Sequence, residues 1–191
     1  KSAVERDVRP YVPDGVHFIP GHPIAGTEQS GPESGFAELF TGRWCILTPV
    51  EGTNPEATAK LQAFWRACGS SVEIMSAGHH DLVLAITSHL PHLIAYNIVA
   101  TAADLEEVTS SEVIKYSAGG FRDFTRIAGS SAEMWRDIAL ANRDALLADI
   151  DAYQQQLTEL ARSLRRADGA EIERLFEAAR GARNAWMRNG S

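Results

Sequence analysis

Apolar residues in the C-terminal third recur at helical spacing: Trp135, Ile138, Leu146, Ile150, Tyr153, Leu157, Leu160 and Leu164 step by three, four or about one or two turns. The pattern predicts one long helix, capped at its start by Ser130 or Ser131. Asp168-Gly169-Ala170-Glu171 interrupts it and offers a capping box for a last helix, with Ile172, Leu175, Phe176, Ala179 and Trp186 on one side. Such stripes need a partner, either a core or a dimer interface. Upstream, His80 to Ala103 reads as one long, mostly apolar helix that puts His89 and His92, three residues apart, on one face. A helix near Leu105 to Lys115, the glycine pair Gly119-Gly120 and the segment Phe121 to Ile127 fill the interval.

Before residue 75 the pattern is different. Short β-prone runs at Val16 to Ile19, Trp44 to Pro49 and Val72 to Met75 alternate with helical signals, so His22 is expected at the C-terminal end of a strand. A glycine-rich loop from Thr27 to Gly35 leads to a short helical piece, Phe36 to Phe40. Asn54-Pro55-Glu56 starts a helix carrying Leu61, Phe64, Trp65 and Cys68, and Gly69 stops it. The alternation implies an α/β remnant, the second half of a Rossmann-like nucleotide-binding domain, over residues 1–75. An all-α helical domain follows over 76–191, and the chain is mainly α overall. No Gly-x-Gly-x-x-Gly occurs in the sequence. Lys1 to Val8 reads as the middle of a helix, which gives the expectation that the chain is the C-terminal portion of a longer protein.

The 191 residues are 45% hydrophobic and 23% charged, enough to bury a core. The formal net charge of -7, with C-terminal arginines interleaved among acids, argues against nucleic-acid binding. Two cysteines, Cys45 and Cys68, cannot staple a chain of this size, and a reducing, cytoplasmic setting is expected. Apolar runs broken by His, Asn or Pro argue against a membrane span.

Candidate chemistry gathers in three polar clusters. His22 sits among glycine and prolines at a strand-to-loop junction, where side chains face ligands more often than cores. An idle surface histidine is the alternative. Arg126, after Gly119-Gly120, could hold a carboxylate by paired hydrogen bonds or could form an internal ion pair with Asp123 or Glu133. His79, His80, Asp81, His89 and His92 invite a metal reading, but spacing alone does not complete a ligand set, and no metal is expected.

Five segments, in order, resemble the prephenate dehydrogenase family. They are His22-Pro23-Ile24-Ala25-Gly26-Thr27-Glu28, Leu47-Thr48-Pro49, His80-Asp81, Ser88-His89-Leu90-Pro91-His92, and Phe121 to Ala128 with Met134-Trp135. The match runs from about Lys1 to Leu160. The resemblance implies oxidative decarboxylation of prephenate or arogenate with NAD or NADP, on the route to tyrosine. It also implies a nucleotide-binding domain joined to a helical domain that forms a homodimer through the C-terminal helices. By the same resemblance His22 is the catalytic histidine that hydrogen-bonds the substrate hydroxyl, and Arg126 binds a substrate carboxylate. Ser88 and His92 line the pocket and Glu28 lies near its mouth, while Trp135 falls in the same region or simply packs. Most cofactor-binding residues are expected upstream of Lys1. A non-catalytic helical dimerisation or ligand-sensing module is the competing reading.

Overall fold

The computed structural model describes residues 1–26, 31–105, 110–116 and 119–189. It divides into two units, Lys1–Leu146 and Leu147–Ser191.

The first unit opens with helix α1 (Ser2–Val8) and a small sheet of β1 (Gly21–Pro23), β2 (Trp44–Leu47) and β3 (Ser71–Ile74), ordered β1-β2-β3. β1 runs antiparallel to β2, with His22 opposite Ile46. β2 and β3 are parallel and joined through helix α2 (Pro55–Ala67), a β-α-β unit of the kind the alternating pattern predicts. Asn54 starts α2 by accepting from the backbone N–H groups of Glu56 at 2.7 Å and Ala57 at 3.3 Å. At the other end Gly69 adopts a φ of 88°, and a Cβ there would come within 3.0 Å of the Thr41 backbone. Cys45, Leu47 and Thr48 of the central strand region are fully buried.

Two N-terminal details differ from the sequence reading. Val16 to Ile19 is not a strand, and His22 lies in the middle of β1 rather than at a strand's C-terminal end. The reason lies in Pro20: residues 20 and 48 form a hydrogen-bonded pair in this register, but Pro20 has no N–H to return, so the ladder ends with Thr48 N donating to Pro20 O at 2.8 Å. Phe36 to Phe40 forms successive turns instead of a helix, closed by Leu39 N to Phe36 O at 3.2 Å and Thr41 N to Glu38 O at 2.9 Å.

After β3, the Ser76 hydroxyl accepts from His79 N at 3.2 Å and starts α3 (Ala77–Leu84). α3 continues through a π-turn, Ala85–His89, into α4 (Leu90–Asp104). Pro91 explains the wide turn: it has no N–H for the carbonyl four residues back and its ring crowds that carbonyl, so Leu90 N bonds Ala85 O instead. The continuous helix Ala77–Asp104 is long and apolar enough to cross a membrane by length and composition alone. The sequence reading expects His, Asn and Pro to interrupt the apolar runs well before that length. Tyr96 ties this helix to the rest of the unit by donating to Ser130 O at 2.6 Å.

α5 (Ser110–Tyr116) and α6 (Gly119–Thr125) follow, then a 3-10 turn, Arg126–Gly129. Ser131 caps α7 (Ala132–Ala141), accepting from Met134 N. The long helix expected from this cap is broken: Asn142 leaves helical geometry at φ -117° and ψ 31°, and α8 (Arg143–Arg165) starts after it. The Asn142 side chain is engaged elsewhere, donating to Asp81 O at 2.7 Å.

The second unit holds the remainder of α8 and helix α9 (Gly169–Asn189). Asp168 caps α9 by accepting from Glu171 N at 3.1 Å, where the capping-box pattern places it. Leu157, Leu164, Phe176 and Trp186 are exposed along these helices.

Candidate active site

β1 fixes the backbone of His22 through its ladder with β2, and Ile24 N extends that ladder by donating to Trp44 O at 2.7 Å. The capped start of α3 brings His80 to the His22 ring. His22 Nδ1 lies 2.8 Å from His80 Nε2, and His80 Nδ1 lies 2.9 Å from Asp81 Oδ1. Asp81 also contacts the Lys1 backbone nitrogen, and its Oδ2 accepts from Ser2 N at 3.0 Å. His80 is buried, with a relative exposure of 4%.

The electrostatics follow from this packing. Burial pushes the His22 imidazole down to about 4, helped by the cation of Lys1. Burial likewise lowers His80, against the opposing pull of Asp81, and lowers His89. Burial alone would raise the Asp81 carboxyl, but hydrogen bonds from the Lys1 backbone nitrogen, Ser2 and His80 hold it well below the usual carboxylate range. At neutral pH this gives two neutral imidazoles in series against a carboxylate. An ionised Asp81 can only accept, so His80 carries its proton on Nδ1 and offers a bare Nε2. His22 must then donate from Nδ1, which leaves its own Nε2 as a free base.

His22 lines a cavity of about 550 Å³ with the Pro23–Gly26 turn. Leu84, Thr87, Ser88 and His92 close another side, and Arg43 lies on its wall. The π-turn sets the angular position of Thr87 and Ser88 on the helix. His92 Nδ1 donates to Ser88 O at 2.8 Å, so a neutral His92 also keeps Nε2 as an acceptor. The His92 ring stacks on Trp135, with centroids 3.6 Å apart and planes 20° apart. Trp135 is buried.

The sequence candidates are therefore brought together only in part. His22, Ser88 and His92 share the cavity. Arg126 is exposed at the start of the 3-10 turn and is not among the lining residues. Glu28 lies outside the described residues. The pairing of His80 with His22, across 58 positions, was not read from sequence, and neither was Arg43, which precedes β2 without a motif of its own. Among the described residues no three His, Cys, Asp or Glu side chains converge to hold a metal ion.

Comparison with known proteins gives a consistent picture. The prephenate dehydrogenase dimerisation-domain family matches residues 76–178, and the prephenate dehydrogenase nucleotide-binding-domain family matches residues 1–74. The cyclohexadienyl dehydrogenase of Zymomonas mobilis is 40% identical over 185 residues, which is 97% of this chain and 63% of that protein. The chain thus spans less than two thirds of that relative's length. A crystal structure of prephenate dehydrogenase from Aquifex aeolicus, in complex with hydroxyphenyl propionate and NAD+, superposes with a TM-score of 0.79 at 37% identity, covering 88% of this chain and 58% of that one. The Synechocystis arogenate dehydrogenase superposes with a TM-score of 0.77 at 29% identity, covering 90% and 62%.

Proposed function

The chain belongs to the prephenate dehydrogenase family, and we propose that the protein in which it acts catalyses oxidative decarboxylation of prephenate or arogenate with NAD or NADP as acceptor. One observation carries this reading: a neutral histidine, His22, with a free Nε2, on the wall of a cavity shared with Ser88 and His92.

The cofactor's contribution is to accept a hydride from the ring carbon that bears the hydroxyl. The sequence contains no Gly-x-Gly-x-x-Gly turn to cradle its pyrophosphate. The chain's own work is on the substrate. His22 Nε2 accepts the hydroxyl proton as the hydride leaves, and the C–O bond becomes a carbonyl. The ring carboxylate then departs as carbon dioxide, its bonding electrons flow into the ring, and the oxygen becomes a phenolate that takes a proton back. No proton is gained or lost overall. Ser88 and His92 bind polar substrate groups across the cavity. The cation of Arg43 on the cavity wall and that of Arg126 serve the substrate's carboxylates.

We assign residues 1–75 to the nucleotide-binding part and 76–191 to substrate binding and dimerisation, a division supported by the ranges of the two family matches. A homodimer through α8 and α9 accounts for their exposed apolar residues. A cytoplasmic setting fits two free cysteines. The test is an assay of the intact protein with each substrate and each cofactor, followed by absorbance of the reduced nicotinamide. Turnover in at least one combination is expected, and none in all four would overturn the reading.

A further inference from the structure

The reaction proposed above sets a proton problem that His22 alone does not solve. The proton taken from the hydroxyl must be held while carbon dioxide leaves, then returned to the phenolate oxygen. A buried imidazole beside the Lys1 cation is a poor place to hold it. Behind His22, however, stands a second imidazole backed by a carboxylate, in hydrogen-bond contact at each step: 2.8 Å from His22 Nδ1 to His80 Nε2, and 2.9 Å from His80 Nδ1 to Asp81 Oδ1.

We propose that His80 and Asp81 form a proton relay behind His22, fixing its tautomer and holding the substrate proton's charge during the decarboxylation step. The proposal rests on the dehydrogenase reading. As His22 Nε2 gains the hydroxyl proton, its Nδ1 proton passes to His80 Nε2, whose bare lone pair already accepts that hydrogen bond. Positive charge then rests on His80, beside the Asp81 carboxylate, and His22 stays neutral. When the phenolate forms, Nε2 of His22 returns its proton and the Nδ1 proton moves back. Each transfer breaks one N–H bond and forms another, and no outside acid or base is needed. His80 and Asp81 do not line the cavity, so they are positioning residues rather than catalytic ones.

Other groups bear on the same rings. Lys1 from α1, Cys45 from β2 and His89 from the π-turn lie close enough to shift the charges of the His22 and Asp81 region, and Arg43 and His92 share the cavity. Among the described residues, only Asp81 contributes a negative charge in hydrogen-bond contact with the pair. Asn142, donating to Asp81 O and lying 3.1 Å from His89 Nδ1, holds the start of this helix in place without carrying charge.

The experiment uses the intact enzyme and the variants Asp81→Asn and His80→Gln. Asn keeps an acceptor for His80 Nδ1–H and removes only the charge. Gln keeps an acceptor for His22 Nδ1–H and cannot take the proton. Both variants should lose about tenfold or more in kcat with KM within about threefold. In Asp81→Asn the acid limb of the kcat profile should also move down by about one pH unit, because the imidazole pair has lost its counter-charge. A merely structural role would leave that limb unmoved. Nitrogen-15 NMR of the wild-type histidines covers the case in which a variant does not fold: His22 should be protonated on Nδ1 and bare on Nε2, and the reverse tautomer would overturn the relay. Wild-type kcat with an unshifted profile in both variants would also overturn it. Failure of the dehydrogenase reading itself looks different, since the wild-type enzyme would then turn over neither substrate.

Discussion

His92 lies flat against Trp135, with ring centroids 3.6 Å apart and planes inclined by 20°, and its Nδ1 is held by the Ser88 carbonyl. A side chain clamped on a face and at one edge presents its remaining nitrogen in a fixed direction, which is what binding a polar substrate group requires. The clamp joins α7 to the helix that forms one wall of the cavity.

Trp135→Ala removes both the stack and a buried indole. Loss of about 3 kcal/mol of stability is expected from the cavity it leaves, together with a rise of several fold in KM as His92 loosens. Thermal melting and steady-state kinetics check both. A KM that stays at the wild-type value would separate Trp135 from the binding function of His92.

Arg126, at the start of the 3-10 turn, is not among the residues lining the cavity, so its proposed contact requires the side chain to reach a substrate carboxylate from there. Arg126→Ala should weaken substrate binding by more than about tenfold, since a charged hydrogen bond contributes about 1.5–3 kcal/mol. Arg43→Ala should raise KM as well. Unchanged KM in Arg126→Ala would return that arginine to a structural ion pair.

Acid should act on His22 in a defined window. Its folded pKa of about 4 lies below the ordinary imidazole value of 6.5, so the unfolded chain binds the extra proton first as pH falls. The contribution of neutral His22 to stability is therefore complete above about 6.5 and is lost progressively as pH drops through 4. Melting temperature should decline across that interval. His22→Asn should flatten the decline, and an identical slope in wild type and variant would count against the depressed pKa.

Asn142→Ala should cost about 1–2 kcal/mol, because the Asp81 carbonyl and His89 Nδ1 both lose a donor. Chemical denaturation reads this directly. A variant as stable as wild type would mean that the break between α7 and α8 has another cause.

Local signals carried much of the fold. Asn54, Ser131 and Asp168 start helices where their side chains can cap backbone N–H groups, and each does so in the structure. Capping is a matter of a few neighbouring residues, so it is legible from sequence. The break in the long C-terminal helix, by contrast, depends on a distant partner. Asn142 breaks an otherwise continuous apolar stripe because its side chain binds a carbonyl 61 positions away. The same division holds at the site: the setting of His22 among glycine and prolines drew attention to it, while its bond to His80 exists only once α3 folds back beside β1.

The most direct test of the account compares the intact protein with its His22→Asn variant, measuring formation of reduced nicotinamide from prephenate and from arogenate with each cofactor. The expected result is wild-type turnover with at least one pair, and a loss of about a hundredfold or more in kcat for His22→Asn at nearly unchanged KM. A His22→Asn enzyme with wild-type kcat would contradict the central claim that this histidine draws off the substrate proton.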